Sequence, residues 1–330
     1  MVNLKCIYCD NKYFEKNNGS VEHAILSAIG GRKVSKNICC TDCNERFGRT
    51  IDAQFADKFK TLCSMLGVKR DRKGIGIVKG VVKVGEDFAD LHPDGKMVQP
   101  NVKKEVHSND HRLNIHVTAG TEEQAMQIAK GLLKKHGHKI EDAVVNIENK
   151  NNYVEGTHIT LNFSWNEDDL RCVAKMALTF LVTITDPTRV RSGWFDDVIG
   201  YINGNDSKAS DLVWMDTNNA LPEQPMLSPR DHRIFLYAST DENLCVALLE
   251  LFGTYTYSIL LSRSWSGPDI AACYVIDPIT TNREEKKDLV LPVLSEILNN
   301  RGSDDLMVKS RLNCLKLYLE AIDTQKENNK

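Results

Sequence analysis

The sequence lacks several features that would assign it to common classes of protein. No stretch approaches the ~18 consecutive apolar residues of a membrane span, and no G-x-x-x-x-G-K-[ST] motif is present to hold the phosphates of a nucleotide. The first twenty residues contain charged side chains and no apolar core, so no signal peptide is predicted, and a cytoplasmic location without a membrane partner is expected. Hydrophobic residues at 42% and charged residues at 26% exclude a disordered or collagen-like chain.

The N-terminal end differs from the rest of the chain in charge and in cysteine content. The first 80 residues hold 15 Lys and Arg against 8 Asp and Glu, a net charge of +7, while the remainder is net −10. Six of the ten cysteines also lie there: Cys6, Cys9, Cys39, Cys40, Cys43 and Cys63. In a reducing compartment such cysteines are more often metal ligands or buried thiols than disulfides. The charge indicates a segment that meets a polyanion, or else chance clustering on a solvated surface.

Length and residue pattern predict two domains. The 330 residues are about twice the ~150 residues of a typical domain. An N-terminal domain is predicted over residues 1–66, ending in a helix whose apolar residues recur at helical spacing. A basic, glycine-containing linker follows at 67–76. Residues 77–330 are predicted to form a larger α+β domain that selects the substrate, regulates activity or oligomerises.

The larger domain is predicted to mix helices with mainly antiparallel strands. Apolar and β-branched runs predict strands at 77–84, 112–118, 143–148, 157–164, 233–238, 244–252, 255–262 and 271–276. Apolar residues at helical spacing predict helices at 121–135, 166–183, 194–202, 289–299 and 304–322. Runs of strands interspersed with helices indicate an α+β fold.

Two C-x2-C pairs predict a structural zinc site. They are Cys6-Ile7-Tyr8-Cys9 and Cys40-Thr41-Asp42-Cys43. A tight turn brings the first and last sulfur of each pair close enough to share one tetrahedral Zn²⁺ ion. A thioredoxin-like redox pair is disfavoured because no βαβ pattern surrounds either motif, and two unrelated pairs of buried thiols remain the other alternative. Cys39 is assigned to packing.

Between and beside the cysteine pairs lies a second set of residues in a defined order: Glu22-His23, Gly30-Gly31, Asn37, and Asn44 directly after Cys43. With the cysteines, this order resembles the HNH nuclease family, over roughly residues 6–52. The resemblance implies a ββα-metal unit in which a β-hairpin and a helix frame a catalytic centre, with a structural zinc beside it.

The resemblance also implies a role for each residue. His23 would be the general base, since the pKa of imidazole lies near working pH, and the Asn37 amide would hold the loop that carries it. Asn44 and Glu22 would bind a catalytic divalent ion, Mg²⁺ or Mn²⁺, through hard oxygen ligands. Glu22 departs from the family pattern, which has Asp or His at this position. Basic residues beside the site would contact DNA phosphates, or else form a solvated face: Arg32, Lys33, Lys36, Arg46 and Arg49.

The function predicted from the resemblance is that of a metal-dependent HNH endonuclease acting on DNA, in a setting such as bacterial restriction or anti-phage defence. One such unit cuts one strand, so a homodimer would be needed for double-strand breaks. Two alternatives stay open. The first is a zinc-dependent module that binds nucleic acid or protein without catalysis. The second is a nuclease effector gated by a ligand or protein partner of the C-terminal domain.

Overall fold

The computed structural model divides the chain into two compact units. It describes residues 3–9, 11–71, 76–84, 87–93, 96–98, 102–109, 112–148, 157–159, 165–205, 211–216, 221, 227–300 and 316. The first unit comprises Met1–Ile75 and Asn162–Lys330, and the second comprises Gly76–Leu161. The first unit therefore combines the N-terminal segment with the C-terminal part of the chain, whereas the sequence-based division treats 77–330 as one domain.

The described residues of the two units form sixteen strands and seven α-helices. The strands are β1 (Asn3–Lys5), β2 (Tyr13–Glu15), β3 (Glu22–His23), β4 (Val34–Ser35), β5 (Val78–Val84), β6 (Asp87–Leu91), β7 (Met97–Val98), β8 (Lys103–Asn109), β9 (Arg112–Thr118), β10 (Thr157–Ile159), β11 (Val213–Met215), β12 (His232–Ser239), β13 (Leu244–Leu251), β14 (Tyr255–Ser262), β15 (Ile270–Ile276) and β16 (Arg283–Lys286). The helices are α1 (Thr41–Arg49), α2 (Ile51–Lys58), α3 (Lys60–Leu66), α4 (Glu122–Lys135), α5 (Glu167–Ile184), α6 (Asp196–Asn203) and α7 (Leu294–Asn299).

A six-stranded antiparallel sheet forms the centre of the first unit. Its strand order is β11-β14-β13-β12-β15-β16. All eight residues of β14 are buried, which is typical of a strand covered on both faces. Helix α5 contacts strands β11 to β14, and α7 contacts β12, β13 and β14. The long apolar runs of the central strands therefore form the main core of this unit.

Helix α5 joins the N-terminal segment to this sheet. It begins at Asn166, whose side chain forms a capping box with Asp169. Every residue from Cys172 to Val182 is buried, which is the pattern of a helix enclosed on all sides. Besides the sheet, α5 contacts β3, β4 and α2. The N-terminal segment and the sheet thus share one core.

The second unit is a smaller α+β assembly. Its four-stranded sheet has the order β10-β5-β6-β7, and β8 and β9 form a separate antiparallel pair. Helix α4 contacts β9, in which residues alternate between exposed and half-buried. The N-cap of α4 is Thr121, whose hydroxyl accepts a hydrogen bond from the backbone N–H of Gln124 at 3.2 Å.

The α+β fold class with antiparallel pairing is confirmed. The strand predicted at 143–148 is wrong, because these residues pair with no strand in the described part of the chain and Val144 is 94% exposed. The helix predicted at the end of the 1–66 domain is interrupted near Phe59, between α2 and α3. The helix predicted at 304–322 lies outside the described residues, apart from Lys316. Among the helices that the structure describes, none is long and apolar enough to cross a membrane.

Candidate functional site

Four cysteines of the N-terminal segment converge as their spacing predicts. Cys6 and Cys9 lie in the turn after β1, Cys40 is the N-cap of α1, and Cys43 lies in the first turn of that helix. Their four sulfur atoms all lie within 4.8 Å of one another, and the sulfurs of Cys9 and Cys40 are 3.9 Å apart. A tetrahedral zinc ion with Zn–S bonds of ~2.3 Å needs sulfurs about 3.8 Å apart. The group therefore fits a structural Zn²⁺ ion.

The surroundings of the four thiols also suit a metal. The backbone N–H of Cys40 donates to the Cys6 sulfur at 3.4 Å, and the Cys6 N–H donates to the Lys12 carbonyl at 2.8 Å. Burial raises the pKa of the Cys6 and Cys43 thiols in the metal-free chain, so zinc binding must release protons. Cys39 is buried outside this group, and its sulfur lies 4.0 Å from Glu22 Oε2.

Strand β3 carries Glu22 and His23 and pairs with β4 in an antiparallel register of Glu22 with Ser35 and His23 with Val34. Neighbouring residues of a strand point to opposite faces. Accordingly, Glu22 is buried at 2% exposure, whereas His23 points to the partly exposed side, where its ring meets an acidic partner.

The Gly30-Gly31 pair fixes the path between β3 and β4. Gly30 adopts a φ of +104°, and a Cβ atom there would lie 2.5 Å from Cβ of Pro278. A Cβ atom on Gly31 would lie 1.8 Å from the carbonyl oxygen of Ile25. Both positions therefore require glycine, the first for its backbone conformation and the second for a close approach.

His23 lies beside an aspartate that the family resemblance does not include. His23 Nε2 is 2.7 Å from Asp71 Oδ2, and Arg32 Nη1 donates to the other oxygen of the same carboxylate. A second guanidinium nitrogen of Arg32 donates to the Lys69 carbonyl at 2.9 Å. The residue predicted as the base and one predicted phosphate contact thus share one carboxylate.

Glu22 belongs to a buried ionic cluster on the opposite face of β3. Lys175 of α5 is fully buried, and its Nζ lies 2.5 Å from Glu22 Oε1 and 2.9 Å from Asp52 Oδ2. The Cys172 thiol donates to the other oxygen of Asp52 at 3.4 Å. Burial opposes the charge on Lys175, but Asp52 and Glu22 outweigh that effect and hold the pKa of Lys175 above its usual value. Lys175 therefore lies between two acidic side chains that favour its charged form.

The two predicted asparagines connect separate parts of the N-terminal segment. The Asn44 amide nitrogen donates to Ser20 Oγ at 2.6 Å and to the Val21 carbonyl at 2.8 Å, which ties α1 to the residues before β3. Asn37 accepts a hydrogen bond from the Asn17 backbone N–H at 2.6 Å and donates to the Asn17 side chain at 2.9 Å. Asn37 thus holds the loop between β2 and β3, which leads directly to Glu22 and His23.

The five predicted phosphate contacts fall into two groups. The side chains of Arg32 and Lys33 are only 14% and 16% exposed, and each faces a carboxylate: Asp71 for Arg32 and Glu285, at 2.5 Å, for Lys33. The others are exposed: Lys36, Arg46 and Arg49. Of these, Arg46 donates to Asn203 at 2.6 Å, and Arg49 pairs with Glu45 one helical turn away at 2.9 Å.

Sequence reasoning missed three residues that surround the predicted site: Lys175, Asp52 and Asp71. Lys175 left a signal, since it is a charged residue inside the apolar stretch of α5 and must find a counter-ion if that helix is buried. Asp52 lies in the first turn of α2, where an acidic residue is ordinary. Asp71 lies in a run of basic residues that indicates only an exposed turn.

Comparison with known proteins gives one match. Residues 6–60 match a family model described as HNH endonuclease, a range that includes both cysteine pairs, Glu22-His23, Asn37 and Asn44 and ends just after α2. No curated protein and no solved structure matches the chain. The sequence match and the four-sulfur group agree with each other, and residues 6–60 of this chain are a domain of the HNH endonuclease family.

Proposed function

We propose that the protein is a metal-dependent endonuclease that hydrolyses phosphodiester bonds of DNA. The observation that carries the proposal is the position of His23. Within a domain of the HNH endonuclease family, its imidazole lies on the partly exposed face of β3, while the cysteine group and the Asn37 and Asn44 side chains fix the surrounding chain. The net charge of +7 over the first 80 residues suits a polyanionic substrate.

In the proposed reaction His23 is the general base. The ring nitrogen that does not face Asp71, Nδ1, takes a proton from a water molecule, and an electron pair of the water oxygen forms a bond to phosphorus. The bond between phosphorus and the 3′ oxygen breaks, and that oxygen takes a proton from solvent. The products are a 5′-phosphate and a 3′-hydroxyl, as the family resemblance implies.

Asn44 and Glu22 are the residues proposed to hold the catalytic Mg²⁺ or Mn²⁺ ion. The Asn44 amide nitrogen is bound to Ser20 and Val21, which turns the oxygen of that side chain to other partners. Glu22 Oε1 receives the Lys175 ammonium and the His23 backbone N–H, and the Cys39 thiol faces Oε2 at 4.0 Å, so Glu22 would bind a metal ion only after exchanging one of these partners. When bound, a divalent ion supplies positive charge to the scissile phosphate and the leaving oxygen.

The basic residues proposed to contact DNA phosphates form two groups. The exposed side chains of Lys36, Arg46 and Arg49 can contact phosphates directly. Arg32 and Lys33 could contact phosphates only after leaving their carboxylate partners, Asp71 and Glu285. The proposed restriction or anti-phage setting comes from the family resemblance, and a homodimer is proposed because one such unit cuts one strand. A ligand or protein partner of the C-terminal part belongs to the alternative of a gated nuclease.

A binding module without catalysis is the second candidate, and one observation favours it. The carboxylate of Glu22 is committed to Lys175, and His23 and Arg32 are committed to Asp71. A module that is stabilised by zinc and does not catalyse a reaction would not need these three side chains to bind a metal ion, a water molecule or a phosphate.

Incubation of the purified protein with supercoiled plasmid decides between the two candidates. The nuclease is expected to convert the plasmid to nicked circles in Mg²⁺ or Mn²⁺ and to leave it intact in EDTA. A linear product would indicate paired cuts on the two strands. Plasmid that stays supercoiled in both metals would reject the nuclease and leave the binding module.

A further inference from the structure

We propose that Asp71 is a positioning residue for the reaction. It lies outside the segment that matches the family, and it orients the proposed general base, His23, through a hydrogen bond. The proposal rests on the proposed nuclease function. Asp71 follows α3 in the chain and lies eleven residues beyond the end of the match at residue 60.

The position of Asp71 is fixed from several sides. Segment 67–71 follows α3 and is bound to its end, because the Val68 N–H donates to the Cys63 carbonyl at 3.0 Å. The Val68 side chain is fully buried. The Lys69 N–H then donates to the Pro278 carbonyl at 3.1 Å. Arg32 donates both to the Lys69 carbonyl and to the Asp71 carboxylate. The carboxylate thus reaches His23 from a segment that is anchored to the C-terminal sheet region.

The chemistry of the pair determines which nitrogen of His23 carries the proton. An ionised carboxylate only accepts hydrogen bonds, so the ring nitrogen that faces Asp71, Nε2, must be the donor. In the neutral imidazole the other nitrogen, Nδ1, is then the proton acceptor. A carboxylate in this place holds the ring in one tautomer and orientation and stabilises the imidazolium that forms when Nδ1 takes a proton.

A second reading of the same contacts would give Asp71 the opposite effect. The carboxylate could stand where a DNA phosphate binds His23 and Arg32, and so block the site. The geometry favours the orienting role, because the guanidinium of Arg32 is occupied by the backbone of segment 67–71 as well as by Asp71, and only 14% of that side chain is exposed. In this role Arg32 holds the segment that carries Asp71 in place and does not exchange Asp71 for a DNA phosphate.

The test compares cleavage by Asp71→Asn, Asp71→Ala and Asp71→Glu in the full-length, zinc-loaded protein. Asp71→Asn and Asp71→Ala are expected to lower kcat by about 10²- to 10⁴-fold, the contribution of a positioned general base, with DNA affinity near that of the wild type. Asp71→Glu keeps the carboxylate and is expected to lose least. The matched control is Asp57→Asn, which changes an aspartate that is 76% exposed and pairs with Lys60 at 3.7 Å. Zinc content and thermal unfolding establish that each variant is folded.

A spectroscopic measurement separates this proposal from the nuclease function. The ¹⁵N shifts of the His23 ring, assigned against His23→Ala, are expected to show the proton on Nε2 in the wild type and a mixture of tautomers in Asp71→Asn. Wild-type cleavage with an unchanged rate in Asp71→Asn would overturn the role of Asp71 alone. Faster cleavage and tighter DNA binding by Asp71→Asn would replace it with the blocking role. A wild type that shows the Nε2 proton but never cleaves DNA would refute the nuclease function, and the role of Asp71 in the reaction with it.

Discussion

Replacement of Lys175 by Met tests whether helix α5 stabilises strand β3 of the N-terminal segment through the charge of Lys175. Met has a similar length and flexibility but no charge. Because Lys175 is fully buried between Glu22 and Asp52, at 2.5 and 2.9 Å, its loss leaves two carboxylates facing each other without a cation. An uncompensated charge in a buried site costs about 3–5 kcal/mol. That is a large part of the ~5–15 kcal/mol by which a protein domain is stable.

The cluster offers a rescue that identifies the cause. The triple variant Lys175→Met, Glu22→Leu, Asp52→Leu removes all three charges, and replacement of a buried ionic group by apolar residues of similar volume is often close to neutral in stability. We therefore expect the triple variant to recover most of the loss. The control is Lys60→Met, a lysine with a 43% exposed side chain 3.7 Å from Asp57, which should change stability by less than about 1 kcal/mol.

The assay is urea unfolding followed by intrinsic fluorescence, with zinc content measured on each variant. We expect a marked fall in the unfolding midpoint for Lys175→Met and a recovery in the triple variant. A Lys175→Met protein within about 1 kcal/mol of the wild type, or a triple variant as unstable as the single one, would refute the electrostatic role of this cluster.

Two further predictions concern acid stability and zinc. Burial lowers the pKa of His232 to about 4, so the folded state keeps it neutral while the unfolded chain takes up a proton below ~6.5. The contribution of His232 to the free energy of unfolding should therefore be fully present above pH 6.5 and fall by about 3 kcal/mol towards pH 4. This slope should flatten in His232→Gln, and an equally steep profile in that variant would contradict the assignment. Cys43→Ala should release zinc and unfold the N-terminal segment, whereas elemental analysis that finds no zinc in the folded wild type would exclude the metal.

The local features of the site could be predicted from the sequence. The C-x2-C spacing determines the separation of two sulfurs within one turn, and the two pairs meet as this spacing requires. The same holds for the cap at Asn166, which depends on residues three positions apart. The predicted strand at 143–148 failed because β-branched residues such as Val144 favour an extended chain but do not provide a partner strand.

The contacts that determine how the site can work are distant in sequence. Glu22 and Lys175 are separated by 153 residues, and His23 and Asp71 by 48 residues. Neither pair belongs to a periodic pattern, so no spacing rule could bring them together. The burial of Glu22 follows from the packing of α5 against β3, which depends on the whole first unit rather than on the motif.

Cleavage by His23→Ala tests the central claim most directly. The substitution removes the proposed base and leaves the four cysteines, Asn37, Asn44 and the exposed basic residues in place. We expect a folded protein that retains zinc, binds DNA with near wild-type affinity and nicks supercoiled plasmid at least ~10²- to 10⁴-fold more slowly in Mg²⁺ or Mn²⁺. The matched control, His138→Ala, changes an exposed histidine of the second unit and should cleave like the wild type. Full nicking by purified His23→Ala protein would contradict the assignment of the active site.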